Sequence, residues 1–448
     1  MKRPSARLRA ATLAIGLAAG GVVLAAEPWA AASASPLTTS AAPQPAASYP
    51  AELPDAAQAI AAIRQSPQVQ AALALIDAES ARRSALEAGP HEWAVRLSGQ
   101  QRRVDALAPA SSAERYREWS ASLERALRLP GKAALDAEIG AQGVRQAQVG
   151  YADALHETAR NLLGTWFVWL REVESARQWQ SQAELLERQR AATARRLALG
   201  DGSRLELMQA EAAAAQARAA LEQAQRRSAV AAADLKNRFP ALVLPASPAA
   251  GQPQPLAGDP AEWRAQLLEH NHELRLARAV TQQARLLARR SDAERLPDPT
   301  VGVHVGSDRG GEERLSGLTL GIPLPGAARS ANARRDSALS AFAAEREATT
   351  LAKVNAEIAA ALATAERAFA GWQSSEDAAR QLEQAAALIA RARSLGEAGL
   401  GEVLLAQRQA NEARLAANAS RLDALEARDR LLLDTHRLWS YADEDSED

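Results

Sequence analysis

The chain has 448 residues and a formal net charge of −1, with 24% charged and 4% aromatic residues. Interspersed charges of both signs exclude the basic excess of a nucleic-acid-binding surface. The absence of cysteine excludes disulfides, thiolate metal sites, a cysteine nucleophile and a lipid-bearing N-terminal cysteine. Alanine dominates, with Leu, Arg, Glu and Gln behind it, the residues that lose least on entering a helix. Such a composition suits long helices packed through small side chains.

Lys2, Arg3, Arg7 and Arg9 precede a small, apolar run from Ala11 to Ala26, with small-residue cleavage options after Ala26 or near Ala32-Ser33-Ala34. This pattern predicts a secretory signal peptide over 1–26. The run is shorter than the roughly 20 residues of a membrane-spanning helix. No later stretch is long and apolar enough to span, so any membrane insertion by the mature chain must use β-strands. Residues 27–54 are rich in Ala, Ser and Pro and predict an extended lead segment.

The rest reads as one plan used twice, over 55–240 and 261–440. Leu129-Pro130-Gly131 recurs as Leu324-Pro325-Gly326; Leu199-Gly200 recurs as Leu395-Gly396, and Glu206-Leu207 as Glu402-Val403. The same spacing held over so long a stretch indicates an internal duplication. Each copy opens with a helix, Asp55 to Gly89 and Ala261 to Arg295. A hairpin region follows at 91–129 and 300–324. There Trp93, Val95 and Leu97, then Trp119, Ala121 and Leu123, alternate with other residues, as do Val301, Val303 and Val305, then Leu318, Leu320 and Ile322. Strict alternation marks strands with two unlike faces. The connecting loops are Ala108 to Ser112 and Ser307 to Glu313.

The Leu-Pro-Gly stops then lead into proline-free helices at 132–199 and 327–395, each spanning roughly 100 Å at about 1.5 Å per residue. Glycine-bearing turns follow at Gly200-Asp201-Gly202-Ser203 and Gly396 to Gly401, and helices return over 203–239 and 400–439. In each copy the two shorter helices together match the length of the long one, so they can cover it end to end. Residues 241–260 form a Pro-, Ala- and Gly-rich linker, and 441–448 an acidic tail.

The signal peptide and duplicated helix–hairpin–long helix–helix plan resemble the TolC family of outer-membrane efflux proteins. The residues carrying the resemblance are the junctions Leu129-Pro130-Gly131-Lys132 and Leu324-Pro325-Gly326, and the turns from Arg196 to Ala210 and from Leu395 to Ala406. The resemblance implies a mainly α fold with a small β part. It implies a homotrimer in which long coiled-coil hairpins build an α-helical barrel through the periplasm. Each chain would give four strands to a shared twelve-stranded outer-membrane β-barrel. It implies adaptor contact at the tip turns Gly200, Asp201, Gly202, Ser203, Gly396, Gly399, Leu400 and Gly401, and an inner-membrane pump, of the resistance-nodulation-division type, as energy source. The Leu-Pro-Gly-Lys junction and the lack of a lipid-bearing cysteine are similar to the CzcC-like heavy-metal cation group. Drug efflux, or protein export beside an ABC transporter, is compatible with the same duct.

The glycines in the turns permit backbone conformations that side chains forbid, and Asp201 and Ser203 can cap the returning helix. Trp93 and Trp119 fit the aromatic belt of a membrane interface, or the core under a soluble hairpin. Where the resemblance leads one to expect an acidic ring near the tip, this chain has Arg391 and Arg393, with Arg190, Arg195 and Arg196 in the first copy; Glu376, Asp377 and Glu383 lie further back. Ion pairs between helices are the favoured role for these arginines. His270 and His272 fall on different helix faces, and His91 and His304 are isolated, so no metal site is expected. No catalytic constellation and no cofactor motif is present, which points away from an enzyme. A periplasmic coiled-coil scaffold is the competing reading from another class, and it leaves the two matched hairpins unexplained.

Overall fold

The computed structural model describes residues 49–105 and 112–439. The expected signal peptide, most of the lead segment, most of the first hairpin loop and the acidic tail lie outside the described residues.

Each repeat opens with two helices where the sequence suggested one. The first pair is α1 (Ala56–Arg64) and α2 (Pro67–Ala88). Pro67 has no N–H to continue the ladder and holds Ser66 extended (φ −59°, ψ 136°), so a new helix starts with proline at its first position. Strands β1 (Ala94–Val104) and β2 (Glu114–Ala126) follow, then the 69-residue α3 (Pro130–Ala198) and the returning α4 (Arg204–Arg238). In the second repeat α5 (Pro260–Glu269) is separated from α6 (His272–Ala293) by Asn271, whose side chain accepts from the Leu274 N–H at 2.8 Å. An asparagine N-cap thus makes the break that a proline makes in the first repeat. Strands β3 (Thr300–Asp308) and β4 (Glu313–Gly321), the long α7 (Ala327–Ser394) and α8 (Leu400–Asp434) complete the chain.

Helix α3 packs along α2 and α4, and α7 along α6 and α8; α3 also touches α6 and α8, joining the repeats. The contact stripe of α4 is nearly all alanine, through Ala210, Ala214, Ala217, Leu221 and Ala224. Spacings of three and four keep this stripe on one face, and its small side chains let the axes approach. Large side chains concentrate halfway along α3. There Trp166, Phe167, Trp169 and Leu170 meet Ile63 of α1, Leu235 of α4 and Leu422 and Leu425 of α8. The Trp166 indole N–H donates to the Glu52 carbonyl at 2.7 Å. Leu53 and Leu242, expected in the lead segment and linker, join this core. A smaller counterpart in the second repeat gathers Trp263, Leu267, Val354, Ile358 and Leu431.

The helices meet the sheet at a charged clamp. The Lys132 ammonium is 2% exposed and pairs with Asp298 at 2.9 Å and Glu294 at 3.1 Å. Asp298, just before β3, also holds His91 Nε2 at 2.9 Å and accepts the Leu129 N–H at 3.2 Å. Its burial alone would raise its pKa; His91, Lys132 and the Leu129 amide instead hold it down to about 2. Arg128 adds a second layer, donating to the Leu86 and Glu87 carbonyls at the end of α2 and pairing with Asp136, which Arg290 also holds at 2.6 Å. The clamp therefore ties α2, α3 and the first hairpin to α6 and β3.

Replacing Lys132 with Met leaves Asp298 and Glu294 without their shared buried cation, and is expected to cost about 3–5 kcal/mol, read as a lower denaturation midpoint. Asp429 of α8 offers a pH test. It is fully buried and neither carboxylate oxygen has a hydrogen-bond partner. Burial, then the Glu52 charge, raises its pKa from 3.8 to about 8. The folded chain thus keeps a proton that the unfolded chain has released between about pH 4 and pH 8, so this residue makes stability fall as pH rises through that window. Asp429→Asn is expected to raise the melting temperature at pH 8 and leave it nearly unchanged near pH 4, which thermal scans at the two pH values check.

Candidate functional site

The two hairpins join edge to edge into one antiparallel sheet of order β1-β2-β3-β4, with β2 and β3 paired from Trp119–Ser307 to Ala126–Thr300. Residues directly opposite across an antiparallel ladder share a face. Val95 faces Leu123, Leu123 faces Val303, and Val303 faces Leu318. Leu97, Ala121 and Val305 form the next row, and Val301 with Leu320 another. On this side the rows nearest the helices therefore form an apolar band, and it is bare: Leu97 is 75%, Leu318 85% and Leu320 65% exposed. Toward the hairpin ends the same side carries Gln101, Arg117 and Arg314.

The other side is polar. Arg96 pairs with Glu124 at 2.8 Å, Ser98 with Ser120 at 2.7 Å, and Glu118 holds Gln100 at 2.7 Å and Arg102 at 3.2 Å. The His304 ring sits on this side over Gly317, where a Cβ would come within 2.4 Å of it. Among the described residues, strands β1 and β4 have no neighbour on their outer edges. Trp93, with the Arg125 guanidinium 5.6 Å above its ring, and Trp119 are both more than half exposed.

The two Leu-Pro-Gly junctions are not equivalent. Leu129 is the N-cap of α3 and Pro130 its first residue, so that helix starts two positions before Lys132. In the second repeat Gly326 is the N-cap, Pro325 lies outside the helix, and Leu324 is 87% exposed. A Cβ on Gly131 or Gly326 would meet nothing within 4 Å, so neither needs to be glycine for packing reasons within the chain.

At the far end the two helix turns share one geometry. Gly200 (φ +80°) and Gly396 (φ +82°) follow the helix ends in the left-handed region. The Asp201 N–H returns to the Arg196 carbonyl and the Gly200 N–H to that of Leu197; Glu397 and Gly396 do the same with Ala392 and Arg393. Both are Schellman turns, in which glycine avoids the Cβ penalty. Only these two of the expected turn glycines need that freedom. Gly202 is required by space, since a Cβ there would lie 2.9 Å from the Leu197 nitrogen, whereas Gly401 has open space around it. Gly399 is the N-cap of α8, where Glu402 reaches back to its N–H at 2.9 Å, and Leu400 is buried. Ser203 caps α4 by accepting from the Glu206 N–H at 3.2 Å. Asp201, expected to share that role, is held by Arg196 at 3.2 Å instead. Leu199 and Leu395 project from equivalent places, 84% and 64% exposed.

The arginines near the tip are largely paired. Arg393 donates to Glu206 at 2.6 Å and so links the two turns; Arg190 pairs with Glu187 and Arg196 with Asp201. Glu376 and Glu383, the nearest acids on α7, are both taken by Arg414 of α8.

The histidines depart from expectation. His270 is the C-cap of α5 and His272 begins α6, and both rings approach the His436 ring, at 4.9 and 5.0 Å between centroids. His156 of α3, His272 at the start of α6 and His436 just beyond α8 offer ring nitrogens that all lie within 4.8 Å of one another. The Nε2 atoms of His272 and His436 are 3.0 Å apart. Asp434 lies 3.1 Å from His156 Nε2 and accepts from Arg160 at 2.8 Å. These two partners outweigh its burial and hold its pKa at about 2. No local motif announces this cluster: His156 lies within α3, far in sequence from His272 and His436.

No family model and no curated protein sequence matches the chain. Solved structures do. The Campylobacter jejuni CmeC outer membrane channel superposes with a TM-score of 0.70 at 14% identity, covering 88% of this chain and 86% of that one. The open-state Neisseria gonorrhoeae MtrE outer membrane channel gives 0.66 at 19% identity, over 85% of this chain and 89% of that one. CusC, described with its transmembrane channel formation, gives 0.62 at 16% identity, over 85% and 91%. The chain has the TolC-like fold. Within that fold the sheet and the glycine turns occupy opposite ends of the long helices. No helix among the described residues is long and apolar enough to cross a membrane.

The turn geometry has a direct test. Valine at Gly200 or Gly396 forces a β-branched side chain into the left-handed region, a strain of about 1–3 kcal/mol. The double substitution is expected to lower the melting temperature relative to the wild type, whereas alanine at Gly401, which has open space around it, is expected to leave it nearly unchanged; thermal scans of the variants check this.

Proposed function

We propose that this chain is the outer-membrane channel subunit of a tripartite efflux assembly, a passive exit duct across periplasm and outer membrane. The observation that carries this reading is the sheet, with a band of apolar rows on one face, a largely polar opposite face and open edges. A two-sided sheet of this kind is at home where one face meets lipid and the other water. Its strands of 9–13 residues match or exceed the roughly 9–11 needed to cross a bilayer. Open edges in lipid are untenable, so the sheet must close on copies of itself. Three chains would give twelve strands, with Leu97, Leu318 and Leu320 outward, Arg96, Glu118 and His304 inward, and Trp93 and Trp119 at the interface. The similarity to solved outer-membrane channels supports the same arrangement.

In this reading the glycine turns, with Leu199 and Leu395 exposed, receive a periplasmic adaptor, and an inner-membrane pump of the resistance-nodulation-division type supplies the energy. Heavy-metal cations are the proposed cargo, on the strength of the Leu129-Pro130-Gly131-Lys132 junction. The bare apolar face tells against a soluble periplasmic scaffold, which would have no reason to expose it.

Cell fractionation and reconstitution test the proposal. The mature protein is expected in the outer membrane as a detergent-stable trimer that conducts ions in planar bilayers. A soluble monomer without conductance would exclude it. Arg in place of Leu318 on the apolar face is expected to cost about 2–4 kcal/mol if the residue lies near the bilayer midplane and to lower the yield of inserted trimer. Arg in place of Ser98, on the polar face, is expected to insert normally.

A further inference from the structure

We propose that His156, His272 and His436 form a binding site for a divalent transition-metal ion of the zinc type, with Asp434 as the carboxylate that orients His156. The site is separate from both the sheet and the glycine turns. It does not depend on what the duct carries.

Four observations support it. First, the donors converge. Three imidazoles from three segments bring ligand atoms within 4.8 Å, and two of these, the Nε2 atoms of His272 and His436, stand 3.0 Å apart. Metal–nitrogen bonds of about 2.0–2.1 Å around a tetrahedral centre place ligand nitrogens roughly 3.3 Å apart, so this edge is already close to that spacing. Modest ring rotations bring in the third.

Second, the outer shell is of the kind that metal-bound histidines use. Asp434 engages His156 Nε2 at 3.1 Å, which leaves the lone pair of that ring on Nδ1. Arg160 and Arg430 bind the same carboxylate and fix its position. Third, His272 is 2% exposed, so its ring is held in place and shielded from bulk water. A cavity of about 40 Å³ lined by His156, Arg160, His270, Asn271, Glu357 and Asp434 adjoins the cluster. It touches His156 and Asp434 and is large enough to hold a water.

The fourth observation is in the backbone. His436 has φ +57°. It occupies the left-handed position of a Schellman turn, with the Arg437 N–H returning to the Leu432 carbonyl at 2.8 Å and its own N–H to Leu433. The two other turns of this kind at long-helix ends use Gly200 and Gly396. Here the chain places an imidazole where glycine would be easier, and that imidazole stacks 5.0 Å from His272. A bound ion would pin the end of α8 to α3 and to the start of α6, between the cores of the two repeats. Neutral imidazoles favour Zn²⁺, Cu²⁺ and Ni²⁺ over hard cations.

The test uses the mature, full-length protein in detergent, carrying a purification tag free of histidine. After chelator stripping and dialysis, it is loaded with Zn²⁺ or Co²⁺, desalted and assayed by elemental mass spectrometry. The wild type is expected to retain one ion per chain, to melt at higher temperature when loaded, and to show intense visible bands with Co²⁺. His436→Gly removes a ligand while supplying the residue that the turn prefers, so the variant folds; it is expected to lose the ion, the Co²⁺ bands and the metal-dependent melting shift. Asp434→Asn is expected to keep the stoichiometry but bind about 10–100-fold more weakly. The proposal is overturned if the wild type retains no ion, or if folded H436G retains as much as the wild type.

Discussion

The ion pair between Lys132 and Asp298 is the contact on which the two ends of this molecule depend. It lies where two rules of chain geometry meet, period two in the strands and period 3.6 in the helices. A lysine two residues into α3 reaches an aspartate two residues before β3, so the first repeat's long helix is locked to the second repeat's hairpin. Asp298 also accepts the Leu129 N–H at the helix start, which sets the angle at which α3 leaves the sheet. A buried pair of this kind adds little net stability, because desolvation offsets most of the attraction. What it adds is register: neither charge can stay buried alone, so the two repeats have one low-energy way to meet.

Beyond that clamp the chain solves two different burial problems. The helices bury little per residue, because their stripes are mostly alanine, and large aromatic side chains concentrate around the middle of α3, with a smaller cluster at Trp263. The sheet leaves its apolar face uncovered and both edges unpaired. A single chain cannot correct either defect, since its helices all run to one side of the hairpins. In the proposed channel, association with copies of itself inside a bilayer would remove both at once, which is why the sheet carries the functional proposal and the helices do not.

The features that could be read early were those encoded locally and twice. The duplicated Leu-Pro-Gly and Leu-Gly pairs, the alternation at Val301, Val303 and Val305, and the proline-free stretches each depend on neighbours within a turn or a strand. Errors arose where one residue decided a boundary. Pro67 split the first helix, Asn271 split its counterpart, and Asp201 gave its carboxylate to Arg196 rather than to the returning helix. The arginines in place of an acidic ring found partners, such as Glu206 for Arg393, that sequence spacing could not name.

The sequence by itself determined the order and type of the elements, because helix propensity, strand alternation and glycine turns are short-range properties. Only the tertiary structure decided that the two hairpins share one sheet, that Lys132 meets Asp298, and that His156, His272 and His436 converge. Those contacts join residues far apart in the chain. Their positions follow from how the long helix α3 lies against five others, which no local pattern records.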